Sequence, residues 1–333
     1  MHAQIIRQFG SADVFEPAET ERPAILPGHV LIRVAATSVN PIDIRIRNGA
    51  VPNVTPDLPA ILHGDVAGVI EEVGEGVDSF QAGDEVFACA GGIRNTHGGA
   101  LADYLLADAS LVAPKPRSLS FQEAAAIPLV AITAWEAVFD RGRVQKQQNV
   151  LIHAGTGGVG HMALQLAKTA EANIYTTVSG RHKAELAGQL GADHTINYRE
   201  TEVAAYVKKY TNGEGFDVVI DTVGGANIDR SFQAAKMNGT VVTIASRSAH
   251  DLTPMHNKGL TLHVVFMIIP FLTGKGLSRY GQILRRISQW ADEGKIKPLL
   301  DEKTYSFNEV SEAHKRLESG QAIGKVVLVN EYF

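Results

Sequence analysis

The sequence predicts an α/β protein: a β-rich segment of about 120 residues, then a doubly wound parallel sheet. Three observations carry this. Strand-like and helix-like stretches alternate from 149 to 245. One of them, "VLIHAGTGGVGHMALQLAK" (150–168), runs from β-type apolar residues through glycines into a helical pattern. The first 120 residues are rich in proline and β-branched runs and poor in helical periodicity.

Taken in order, "HVLIRVAATSVN" (29–40) and "VAGVIEEVG" (66–74) read as strands, with Gly83-Asp84 and Gly98-Gly99 as turns. At 121 the texture changes. "SFQEAAAIPLVAITAWEAVF" reads as helical, with Ser120 as N-cap and Glu123 three residues on. Strands then fall at 149–154, 173–178, 194–197, 216–221 and 239–245, and helices at 157–170, 181–190, 201–210 and 226–237. That rhythm is the signature of a parallel sheet covered on both faces. "LTLHVVF" (260–266) reads as one more strand, followed by an amphipathic helix at 277–293 and a mixed tail ending in "GKVVLVN". The tail is too short for a domain of its own. The expected organisation is residues 1–120 with 268–333 returning to them, and 121–267 as a second domain.

The chain's 333 residues suit two domains, and 45% apolar with 20% charged residues is the mix of a globular protein. The net charge is −5 with no basic block, so neither nucleic acid nor an anionic membrane is an expected partner. The longest apolar run, "VVFMIIPFL" (264–272), is too short for a bilayer span, and no signal peptide is legible. A single cysteine, Cys89, excludes intrachain disulfides and sites of several thiolates, and fits a reducing cytoplasmic location.

Gly155, Gly157 and Gly160 fit G-x-G-x-x-G between a strand and a helix. Such glycines permit a tight turn, close backbone approach to a pyrophosphate, and close helix–strand packing. The second strand, "NIYTTVS", should end in Asp or Glu if it is to hold the ribose 2′-hydroxyl of NAD. It ends instead in Ser179-Gly180-Arg181-His182-Lys183. A hydroxyl and cations suit a 2′-phosphate, which makes NADPH the expected cofactor. The other reading of Arg181 and Lys183 is a solvated helix start.

At this point the chain resembles, nearly end to end, the zinc-independent quinone oxidoreductase branch of the medium-chain dehydrogenase/reductase superfamily, the zeta-crystallin-like group. The resemblance rests on "VNPIDIRIRNG" (39–49), "GDVAGVIEEVG" (64–74), "AGDEVF" (82–87), "AAAIPLVAITAWEAV" (124–138), "HAGTGGVGHMALQLAK", "GADHTINYRE" (191–200), "FDVVIDTVGG" (216–225) and "GKVVLV". It implies a GroES-like β-barrel domain followed by a Rossmann domain. The ligand positions of the family's zinc-dependent alcohol dehydrogenases fall on Asn40, Gly64 and Leu129, none an adequate ligand. The expectation is therefore no metal, with the adjacent His63 as a packed histidine.

Carried over by position, the resemblance implies a cofactor shell. The glycine turn (Gly155, Thr156, Gly157, Gly158, Val159) would hold phosphates, and Asn40 and Thr133 would border the nicotinamide. Ser179, Arg181, Lys183 and Tyr198 would meet the 2′-phosphate; Val223, Ala245, Ser246 and Phe266 would line the track between the two ends; Lys325 would reach toward the phosphates. Arg45 stands where family reductases often carry Tyr. Without zinc, hydride delivery to a quinone, enal or enone is the expected chemistry, with Asn40 as donor to the developing oxyanion and Asp43 as a supporting carboxylate. The alternatives are an enoyl-thioester reductase, a zinc-free alcohol dehydrogenase, or a non-catalytic NADPH-binding protein such as a crystallin or redox sensor. The resemblance also implies a homodimer, paired through the sheet edge near "LTLHVVF".

Overall fold

The computed structural model describes all of Met1–Phe333. The chain divides into two compact units, residues 1–129 with 268–294 and 298–333, and residues 130–267 with 295–297. The expected boundary after residue 120 therefore falls short, since 121–129 fold with the first unit.

The first unit is built of short antiparallel strands: β1 (His2–Ile6), β2 (Phe15–Glu19), β3 (His29–Ser38), β4 (Ala60–Ile61), β5 (Asp65–Val73), β6 (Glu85–Cys89), β7 (Tyr104–Asp108) and β8 (Ala113–Pro114). Helix α1 (Pro41–Arg47) follows β3, and α2 (Phe121–Ala125) follows β8. Ser120 and Glu123 close the capping box read from the sequence: Glu123 N–H donates to Ser120 Oγ at 3.2 Å and Ser120 N–H to Glu123 Oε2 at 2.9 Å.

The helical stretch after it breaks at Pro128, which cannot donate to the preceding turn. Helix α3 (Pro128–Trp135) restarts there and continues into a π-helical turn over Glu136–Arg141. One long helix was expected, and two short ones with a π turn are found.

The second unit holds the alternating elements: β9 (Asn149–Ile152), α4 (Gly158–Thr169), β10 (Asn173–Val178), α5 (Arg181–Gln189), β11 (His194–Asn197), α6 (Val203–Thr211), β12 (Phe216–Asp221), α7 (Asn227–Ala234), β13 (Ala235–Thr243), α8 (Thr253–Lys258) and β14 (Thr261–Val264). All pairings are parallel, in the order β11-β10-β9-β12-β13-β14. This is the doubly wound sheet, with its order reversing between β9 and β12. One face is sealed by Leu151, Tyr175, Tyr206, Phe216, Val219, Phe232 and Val241, all buried. Each such side chain contributes roughly 1.5–3 kcal/mol on leaving water.

The chain then returns to the first unit as α9 (Ile269–Thr273), α10 (Ser278–Asp292), β15 (Leu300–Ser306), α11 (Val310–Glu318) and β16 (Lys325–Val329). Helix α10 lies against the turn before β8 so closely that a Cβ on Gly281 would stand 2.1 Å from Ser110 O. Strand β16 joins the main sheet of the unit, order β15-β16-β3-β5-β6-β8, with β7 also on β3. Antiparallel pairing sets Val327 opposite Ser38, and the same register carries Lys325 opposite Asn40. Ala36 lies opposite Ala67, which places Ser38 beside Asp65. Two strand registers thus bring residues near 40, 65 and 325 to one place.

Candidate functional site

The glycine turn joins β9 to α4, and its glycines are not equivalent. A Cβ on Gly155 would stand 2.2 Å from Thr176 Oγ1, and one on Gly160 would stand 2.1 Å from Ala154 O. The fold itself requires both to be bare. A Cβ on Gly157 would meet only Ala154, its O at 3.2 Å and its Cβ at 4.0 Å, so packing within the fold demands far less of this position. The turn is pinned from behind: Ala154 N–H donates to Thr177 Oγ1 at 3.1 Å, and Gly157 N–H to Ala154 O at 2.9 Å. Gly157 caps α4 without a side-chain acceptor, and no acidic residue lies in the first turn. The leading N–H groups of a twelve-residue helix are therefore left to an anion. Thr156 is buried in the turn, while Gly158 and Val159 are half-buried on its outer side.

At the end of β10, Ser179 and Lys183 are half-buried and Tyr198 is 47% exposed. Tyr198 N–H donates to Val178 O at 3.2 Å, which sets the tyrosine beside the strand end. No carboxylate stands at 179–183. Arg181 extends into solvent and pairs with Glu185 one turn along, Nε to Oε1 at 3.0 Å. Part of its charge is thus spent on the helix, in line with the solvated reading of this one residue.

Farther along the sheet, Asp221 fastens the turn after β12, accepting from the N–H groups of Val223 and Gly224 at 2.8 and 2.9 Å and from Ser231 Oγ at 2.9 Å. Val223 is exposed; Ala245, Ser246 and Phe266 are half-buried at the ends of neighbouring strands; Thr133 is buried in α3.

In the first unit, the positions aligned with metal ligands converge on a carboxylate. Asp65 Oδ1 accepts from Leu129 N–H at 2.7 Å. Its Oδ2 accepts from Ser38 Oγ at 2.8 Å, from Asn40 Nδ2 at 2.8 Å and from Lys325 Nζ at 3.4 Å. Lys325 also donates to Val39 O at 3.2 Å and to Asn40 Oδ1. Asn40 N–H donates to Asp43 Oδ2 at 2.7 Å, holding Asp43 at the start of α1. All but Leu129 are buried, Asn40 and Asp65 fully. Burial, reinforced by the Asp65 charge and opposed by the Asn40 N–H, pushes Asp43 up to about 7.

A buried carboxylate and two carbonyl groups hold the Lys325 ammonium. The Asn40 amide donates one N–H to Asp65, and its oxygen accepts from Lys325.

Zinc needs lone pairs aimed at one point. Here Gly64 offers no side chain, Leu129 offers an N–H, and the Asp65 lone pairs are engaged by donors. The residues do not fit the metal.

His63, with φ 71, extends the polar region in a different direction. Its Nδ1 lies 3.3 Å from Thr37 Oγ1 and its Nε2 2.9 Å from His314 Nε2; His314 Nδ1 lies 3.2 Å from Arg47 Nη1. Arg47 can only donate, so His314 accepts at Nδ1 and donates from Nε2. His63 must then accept at Nε2 and donate from Nδ1 to Thr37, whose hydroxyl donates to Asp65 O at 2.5 Å. The string is directional and both rings are neutral. Burial, with Lys325 adding to it, lowers His63 to about 3, and burial with His63 and Arg47 lowers His314 well below its usual value. Arginine does not release a proton at neutral pH, so the string fastens α11 to the barrel and conducts nothing. Arg47 closes it at Glu318, 2.6 Å away. Arg45, two residues earlier and on another face of α1, is exposed.

The structure gathers the glycine turn, Ser179, Lys183 and Tyr198 in the second unit, and Asn40, Asp43 and Lys325 in the first. Asp65, Ser38 and His314 were missed from the sequence. Ser38 and Asp65 come together through the register of β3 with β5, and His314 reaches His63 from α11.

Residues 26–117 match the family described as alcohol dehydrogenase GroES-like domain, and residues 190–328 that described as zinc-binding dehydrogenase. The chain is 30% identical to the quinone oxidoreductase of Homo sapiens, over 99% of this chain and 98% of that one. Among solved structures, an alcohol dehydrogenase superfamily protein from Novosphingobium aromaticivorans superposes with a TM-score of 0.94 at 37% identity, covering 99% of each chain. The Escherichia coli quinone oxidoreductase complexed with NADPH superposes with a TM-score of 0.86 at 27% identity, covering 99% of this chain and 100% of that one.

Proposed function

The chain belongs to the medium-chain dehydrogenase/reductase superfamily of oxidoreductases, and from that premise we propose that it is an NADPH-dependent, zinc-independent reductase of quinones or α,β-unsaturated carbonyl compounds. One observation carries the reading: an acid-free corner of Ser179, Lys183 and Tyr198 at the end of β10, in the same unit as the open, uncapped turn at Gly157. The likeness to a reductase holding NADPH supports it.

In this proposal the N–H groups at Gly157, Gly158 and Val159 bind the pyrophosphate at the positive end of α4. Ser179 and Lys183 bind the 2′-phosphate with Tyr198 beside it, and Arg181 adds the part of its charge that Glu185 leaves. Val223, Ala245, Ser246 and Phe266 line the rest of the track. When bound, the nicotinamide supplies a hydride, which an electron-poor quinone or enone accepts without a Lewis acid. Asn40 and Asp43 act as positioning groups, and solvent completes the proton balance.

The test is NADPH consumption with a panel of small quinones, short enals, an enoyl thioester and simple alcohols under chelator. Turnover of quinones or enals at least about a hundredfold faster than the reverse oxidation of ethanol with NADP is expected. Comparable alcohol turnover, or activity lost on chelation, contradicts the proposal; tight NADPH binding with no turnover leaves only the binding-protein reading.

A homodimer belongs to the same proposal. Strand β14 is the outermost of its sheet, with Val264 47% exposed, and an uncovered edge favours pairing with a second copy. Light scattering at micromolar concentration should give twice the chain mass. A monomer there contradicts it. A cytoplasmic location is also proposed, resting on the single buried thiol, Cys89; no helix is long and apolar enough to cross a membrane.

A further inference from the structure

The pocket around Asp65 has the donor pattern of an anion site, and its charges do not cancel by count. Two carboxyl groups, Asp43 and Asp65, share it with one ammonium, Lys325, and each is at most 3% exposed. Asp65 accepts from four groups, whereas Asp43 receives the Asn40 N–H. Lys325 has three N–H bonds and three acceptors, so its ammonium is saturated. A buried charge without such partners costs several kcal/mol.

We propose that Lys325 is the resident cation of this pocket, taking the electrostatic place that a metal ion occupies in zinc-dependent members of the superfamily, holding Asp65 as a carboxylate and leaving the surplus proton on Asp43. Lys325 is then a positioning residue: it acts through Asn40 and Asp65, fixing the start of α1 against β16. The inference stands independently of which acceptor the protein reduces. With Asp43 raised to about 7 by burial, its carboxyl holds the proton below neutral pH. Besides Asp43 and Asp65, the titratable groups around Lys325 are His63, kept neutral by burial, and Cys89, whose thiol burial pushes up.

A double-mutant cycle tests this. Lys325→Met removes the charge and keeps the stem; Lys325→Met/Asp65→Asn removes both charges and keeps an acceptor for Leu129 N–H. In denaturant unfolding at pH 8, Lys325→Met should lower the folding equilibrium constant by more than about a hundredfold. The double variant should recover at least about tenfold of that loss. The deficit of Lys325→Met should be smaller at pH 5 than at pH 8, because proton uptake by the buried carboxyl groups compensates for the missing cation. If Lys325→Met does not fold, a folded double variant carries the same conclusion. A double variant no more stable than the single one, with a pH-independent deficit, would show Lys325 to be only a packed stem and overturn the proposal. Wild-type protein retaining one zinc per chain after dialysis would overturn it as well.

Discussion

The two polar regions of this protein are made in opposite ways. The turn at Gly155–Gly160 is built by leaving side chains out, so that backbone N–H groups face outward at the head of α4. The pocket at Asp65 is built by packing side chains in, until each carboxylate, amide and ammonium has a partner and none meets water. The first is open, its helix start uncapped by any side chain. The second is closed and internally neutralised. An exposed cradle can gain binding energy from a ligand, whereas a satisfied network contributes rigidity and resists new ligands.

Substitutions within the turn should separate its structural from its binding glycines, and this is the largest expected effect. Gly160→Val should destabilise the fold by roughly 3 kcal/mol or more, because its Cβ would stand 2.1 Å from Ala154 O. Gly157→Ala should cost less than about 1 kcal/mol of stability, since only Ala154 O lies near, yet weaken cofactor binding about tenfold. Urea unfolding and cofactor titration of both variants check this. Equal stability losses would mean that Gly157 is also held by packing.

The closed pocket predicts a pH window. Asp43 is raised to about 7 from an ordinary value near 3.8, so the stability it contributes is full below about 4 and lost as pH rises through about 7. His63, lowered to about 3, acts in the opposite sense: its contribution is present above 6.5 and lost as pH falls toward 3. Comparing Asp43→Asn with wild type cancels the histidine part. The variant should lack the decline between pH 4 and 8, a difference on the order of 3–4 kcal/mol across the window. Parallel stability curves for the two proteins would place Asp43 among ordinary ionised carboxylates.

The same contrast explains what could be read from the sequence. Gly155, Gly157 and Gly160 lie within six residues, and the strand and helix around them are local patterns, so the turn and the parallel sheet were legible. The capping box at Ser120 was legible for the same reason. The break at Pro128 was passed over because the apolar run continues through it. Asp65, Ser38, Lys325 and His314 meet only through pairings between strands and helices far apart in the chain, and spacing carries no signal for that. Lys325 and Asn40 were picked out by resemblance, but their partners were not, and the partners decide what each can do.

The smallest of the expected effects bears most directly on function. Cofactor fluorescence titration of wild type should show NADPH binding at least about tenfold tighter than NADH, one charge-assisted hydrogen bond being worth roughly 1.5–3 kcal/mol. Lys183→Ala should weaken NADPH and leave NADH nearly unchanged, and Ser179→Asp should shift preference toward NADH by repelling the 2′-phosphate. Equal affinities for the two cofactors in wild type, or equal losses for both in Lys183→Ala, would contradict a phosphate-reading corner at the end of β10 and leave its cations as a solvated helix start.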